Sequence, residues 1–99
     1  MEDLSRDELI KLYDIYGSLL TEKQRAYFED YYYMDLSLAE IAENYNISRN
    51  AVFDQIKRAS EALYNYEACL HIKMKLKKIE ALNISDDIKK TITDMLWED

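Results

Sequence analysis

The chain has 99 residues, nearly half of them apolar, and a formal net charge of −7. That length predicts one domain with a modest core, and that composition excludes a disordered chain. Proline is absent and glycine occurs once, at Gly17, which argues against a small tight-turned sheet, while the excess of acids excludes nucleic-acid binding by bulk charge alone.

Helix starts are well marked along the chain. Ser5 and Glu8 have capping-box spacing, with Leu4 and Leu9 as a hydrophobic staple. Leu9, Leu12, Tyr13, Tyr16, Leu19 and Leu20 then recur at helical spacing, which predicts a helix over about residues 6–18. Thr21 and Gln24 form a second box, predicting a helix over 22–33 with Tyr27, Phe28, Tyr31 and Tyr32 on its apolar face. Tyr31, Tyr32 and Tyr33 are consecutive, so at least one faces outward.

Ser37 and Glu40 start a short third helix over 38–45, which holds Leu38, Ile41, Ala42 and Tyr45. Asn46 follows it, a residue that tolerates the left-handed conformation ending many helices. Ser48 caps the next helix, with Ile47 and Val52 as its staple. The stripe Val52, Ile56, Ala59, Leu63, Tyr66, Leu70 runs on without a stop signal to Leu82-Asn83. This predicts one helix of more than 30 residues, with a break near Cys69 to Ile72 as the alternative. Ile72, Met74 and Leu76 alternate like a strand, but the surroundings favour helix. Ser85 caps a last helix whose first turn carries Asp86 and Asp87, where the helix dipole favours negative charge. Its apolar side is Ile88, Ile92, Met95 and Leu96. The predicted fold is all-α: a small bundle with a long connecting helix and a C-terminal helix, its core spanning about 21–66 and a helical extension about 67–97.

Two helices joined by a three- or four-residue turn, with small Ala42 at the crossing, Asn46 in the turn and Ile47 and Val52 closing the core, form a helix-turn-helix without a wing. The second helix of that motif enters the major groove, led by its N-terminal residues. Ser48, Arg49, Asn50, Phe53, Lys57 and Arg58 are therefore the candidate nucleic-acid residues, with the free N–H groups behind Ser48 suited to a phosphate. Asp54 stands against that reading in the middle of the same face, and residues 49–64 carry a net charge of only +1. Dimerisation would double the contacts. Lys73, Lys75, Lys77 and Lys78 form a separate basic cluster, either a secondary patch for phosphates or the solvated side of the long helix, with Cys69, Ile72, Leu76 and Ile79 packing beneath.

The stretch from Leu20-Thr21-Glu22-Lys23-Gln24-Arg25 through Ser37 to Ala42, then Ile47 to Val52 and Ile56-Lys57-Arg58, is similar to region 4 of sigma factors. With the tyrosine run at 31–33 and the segment 63–70, it more closely resembles the YlxM family of small bacterial helix-turn-helix proteins. The resemblance implies a bacterial cytoplasmic protein with a regulatory role linked to the signal recognition particle pathway.

Other chemistry finds no support. Cys69 and His71 point in different directions on a helix, and the sequence has no further His or Cys to complete a metal site. A single glycine makes no phosphate-binding loop. No catalytic group, cofactor or small-molecule ligand is expected. A lone cysteine, a charged N-terminal stretch and the lack of an apolar run of about 20 residues predict a cytoplasmic protein without membrane insertion. Two functions remain open: a DNA-binding regulator, or a helical adaptor that contacts signal recognition particle protein or RNA. The predicted long helix, too long to bury its stripe against three short ones, points to a homodimer through residues beyond Leu63.

Overall fold

A computed structural model describes residues 6–97. Among them no strand occurs. The elements are α1 (Arg6–Tyr16), a 3-10 turn (Gly17–Leu19), α2 (Glu22–Tyr32), α3 (Leu38–Tyr45), α4 (Arg49–Leu70), α5 (Ile72–Glu80) and α6 (Asp86–Met95). The expected Ser5 cap and the Leu4 staple lie outside the described residues.

The caps behave as their chemistry requires. Thr21 and Gln24, and Ser37 and Glu40, form complete boxes in which each side chain satisfies an N–H of the first turn. The Asn46 backbone is left-handed, at φ 55° and ψ 48°, and the Ile47 N–H closes back onto the Ala42 carbonyl at 3.0 Å. That five-residue closure is a Schellman ending, which elsewhere usually employs glycine. Asp35, three residues past α2, is also left-handed at φ 56°, and its carboxylate holds the Arg6 side chain at 2.6 Å.

The first helix ends two residues earlier than the sequence pattern predicts. Gly17 sits against the Tyr13 ring and the chain tightens there into a 3-10 turn before Leu20 becomes extended. Tyr13 in turn stacks on Phe28 with ring centroids 4.6 Å apart. The core lies where α1, α2 and α3 meet the first four turns of α4. Phe28, Ile41, Val52, Ile56, Ala59 and Leu63 are completely buried there. Truncating any of the larger ones would cost about 2–5 kcal/mol.

The predicted helix of more than 30 residues is not continuous. It ends at Leu70, His71 turns left-handed at φ 56°, and α5 starts at Ile72. Tyr16 and Glu67 supply the reason. The Glu67 carboxylate accepts from the N–H groups of Lys73 and Met74 at 3.0 and 3.1 Å, and the Tyr16 hydroxyl accepts from the Ile72 N–H at 3.1 Å. Ile72 packs against the core. The break exposes Cys69 and Leu70, which the sequence pattern places on the packed side. Neither α5 nor α6 has a buried residue, and α6 packs chiefly on α5. The described chain is elongated, 50 × 23 × 23 Å.

Candidate nucleic-acid interface

Three residues, Asn46, Ile47 and Ser48, separate α3 from α4. Ser48 is extended, at φ −74° and ψ 154°, and its hydroxyl accepts from the Ala51 N–H at 3.0 Å. Ser48 therefore caps its own helix, and the Arg49 and Asn50 N–H groups remain at the open, electropositive end. The buried face of α4, from Val52 to Leu63, docks on α2 and α3 and fixes which side turns outward. Ser48, Arg49, Asn50, Phe53, Lys57 and Arg58 are all exposed. Phe53 keeps 44% of its surface in solvent although it is fully apolar. Such an aromatic beside Lys57 suits a face that meets a base or a sugar edge.

One pairing weakens the electropositive character of this face. The Arg58 Nε donates to the Asp54 carboxylate at 2.8 Å, one helical turn away, and both side chains are exposed. The sequence places Asp54 on this face; the i, i+4 spacing to Arg58 is the signal that foretells their pairing. An exposed pair of this kind is worth at most about 1 kcal/mol, so a phosphate has little to displace.

The second cluster is divided. Lys73 is drawn onto α1, where its ammonium meets the Glu8 carboxylate at 2.7 Å. The hydrogen bond to Lys73 lowers the Glu8 carboxyl below its ordinary range, against a smaller opposing effect of burial. Lys75, Lys77 and Lys78 are exposed. Lys77 borders a shallow groove between α1 and α5 with Lys11, Asp14, Ile15, Leu76 and Glu80. The groove therefore carries both signs of charge.

Cys69 is exposed near the end of α4 and His71 is the junction residue itself. Among the described residues no three His, Cys, Asp or Glu side chains converge. No helix among them is long and apolar enough to cross a membrane. The residues that sequence reasoning missed are Tyr16 and Glu67. They touch no candidate base-reading residue, but they set the direction in which the basic α5 leaves the bundle.

Comparison with known proteins agrees with this geometry. A UPF0122 protein of Mycoplasma mycoides is 42% identical over 98 residues, covering 91% of this chain and 87% of its own. One from Fusobacterium nucleatum is 43% identical over 93 residues, covering 92% and 90%. One from Desulforamulus reducens is 49% identical over 80 residues, covering 76% and 68%. The family described as "Putative helix-turn-helix protein, YlxM / p13 like" matches residues 4–97, nearly the whole sequence. With a helix-turn-helix between α3 and α4 and a match of that extent, the chain belongs to the UPF0122 family of bacterial helix-turn-helix proteins.

Proposed function

We propose that this protein is a binding protein rather than an enzyme, a regulator that holds DNA through the first turns of α4. The observation that carries the reading is the open end of α4. There Ser48, Arg49, Asn50, Phe53 and Lys57 are exposed together, and the opposite face is fixed by a buried core. Arg49 and Asn50 read base edges, Phe53 lies against a base or sugar, and Lys57 meets a phosphate. Arg58 joins them when a phosphate displaces Asp54. Lys75, Lys77 and Lys78 are a secondary contact; Lys73 is engaged by Glu8.

The chain acts as one domain, with the helix-turn-helix core at about 21–66 and a helical extension at about 67–97. It works in the cytoplasm as a homodimer. Two copies pair through the extension, where Leu70, Met74, Leu82, Ile88, Met95, Leu96 and Trp97 are exposed. Uncovered apolar surface of that kind marks an interface. Pairing presents two reading heads and compensates for the small charge of each.

The test is the fluorescence anisotropy of a labelled duplex, titrated with protein at several salt concentrations. Wild type should bind with an affinity that falls steeply as salt rises, and Arg49→Ala/Lys57→Ala should lose most of it. Duplex binding that ignores both salt and the double substitution would sink the reading. A monomer mass by light scattering at micromolar concentration would remove the homodimer.

The second reading is an adaptor that contacts protein or RNA of the signal recognition particle. The exposed apolar side of α6 and the neutralised Arg58 favour it. Binding to the particle that survives Arg49→Ala/Lys57→Ala, with no affinity for duplex DNA, would establish the adaptor.

A further inference from the structure

The junction between α4 and α5 breaks a helix without losing its hydrogen bonds. In a continuous helix the N–H groups of Ile72, Lys73 and Met74 would reach the carbonyls four residues earlier. Here Ile72 donates to the Tyr16 hydroxyl, while Lys73 and Met74 donate to the two oxygens of Glu67. On either side the ladder is regular: the His71 N–H meets the Glu67 carbonyl at 2.8 Å and the Lys75 N–H meets the His71 carbonyl at 2.9 Å. The break therefore substitutes three side-chain acceptors for three backbone acceptors, one for one. The Tyr16 hydroxyl also donates to Glu67 at 2.6 Å, which ties the latch to α1. Lys73 and Glu8 add a second tie between α5 and α1.

Opposing this latch is a single residue. His71 holds a left-handed backbone with no side-chain cap bond, a conformation disfavoured for residues with a Cβ. The apolar pattern runs through the junction, and no proline or glycine occurs between residues 49 and 80 to forbid a single helix. A bent and a straight form thus satisfy equal numbers of backbone N–H groups at the junction. What separates them is a latch on one side and a strained backbone on the other.

We propose that this junction is a two-state hinge, in which Tyr16 and Glu67 hold α5 folded onto α1 and their release joins α4 and α5 into one helix over residues 49–80. Both residues are positioning residues. They set where α5 and α6 point relative to the reading head. The hinge is a property of the single chain; only its consequence, the spacing of two heads, rests on the homodimer proposed above.

Single-molecule energy transfer tests it in the absence of DNA, at concentrations where copies are apart. Dyes are placed on Lys23→Cys in α2 and Lys90→Cys in α6, in a Cys69→Ser background. Wild type should give one narrow distance distribution. Tyr16→Phe/Glu67→Ala should add a second, straight population. His71 is exposed, so its replacement carries no packing cost. His71→Gly relieves the left-handed residue and weakens a continuous helix, and so should keep the wild-type distribution. His71→Ala does the reverse, and should raise the straight-to-bent ratio at least roughly fivefold over His71→Gly. Indistinguishable distributions for His71→Ala and His71→Gly would overturn the hinge, even if the Tyr16/Glu67 variant fails to fold. Loss of DNA binding in the earlier titration, with the His71 contrast intact, would remove the nucleic-acid reading and leave the hinge standing.

Discussion

Arg58 and Asp54 hold one another across a single turn of α4, on the face that the helix-turn-helix turns outward. The pair lowers the positive charge of that face twice, by adding an anion and by engaging a cation. Asp54→Asn should therefore tighten duplex binding and steepen its dependence on salt by about one phosphate contact. Stability should move by less than about 1 kcal/mol, because the pair is exposed. Anisotropy titrations against salt, beside urea unfolding, check both; a tighter complex with an unchanged salt slope would count against the freed Arg58.

Asn46 controls the angle at which α4 leaves α3. Its left-handed backbone is tolerated by asparagine and easier still for glycine. Asn46→Gly should leave stability nearly unchanged, whereas Asn46→Ala should cost about 1 kcal/mol or more. Urea unfolding midpoints would show whether this order holds.

Gly17 illustrates a different demand. A Cβ built there lies 3.0 Å from the Tyr13 ring, tighter than ordinary contact, and that ring is pinned against Phe28. Gly17→Ala should therefore destabilise by about 1–3 kcal/mol through crowding, despite the usual gain from replacing glycine. Tyr13→Leu should recover part of the loss in the double variant.

Acid should loosen the latch. Burial pushes the Glu67 carboxyl up, but the bonds from the Tyr16 hydroxyl and the Lys73 and Met74 N–H groups outweigh it and hold the group below the ordinary glutamate range. The same contact and burial push the Tyr16 hydroxyl up to about 12, burial being the larger cause, so Tyr16 stays protonated in this range. A depressed carboxyl contributes stability above its unfolded pKa and loses it as pH falls through the folded one. Glu67→Gln should thus cost about 1–2 kcal/mol near neutrality and progressively less below the ordinary glutamate pKa. Unfolding curves of both proteins across acidic pH should converge; parallel curves would contradict the assignment.

The parts of this fold that sequence reveals are those whose causes are local. Thr21 with Gln24, Ser37 with Glu40, and Asn46 each sit within a few residues of the groups they satisfy, so spacing alone discloses them. The break at His71 was visible only as an alternative, because half of its cause lies in Tyr16, whose hydroxyl meets the Ile72 N–H across 56 positions of the chain. The apolar stripe through Leu70 looks like core for the same reason: periodicity shows that a face is apolar, not that a partner covers it. The candidate reading residues were legible by position in the motif. Their charge balance was legible only in part: the i, i+4 spacing lets Asp54 pair with Arg58, and the fold makes that pair.

Two short helices without a single buried residue have a thermodynamic meaning of their own. Helices of nine and ten residues are marginal in water, so α5 and α6 owe their order to docking contacts and not to an interior. Their amides should exchange with solvent long before those of α4, and the protein should open from its C-terminal end while the bundle persists. If a second copy covers them, that protection rises with protein concentration. The extension then reports abundance: it exchanges and yields to proteases more slowly where the protein is plentiful than where it is scarce.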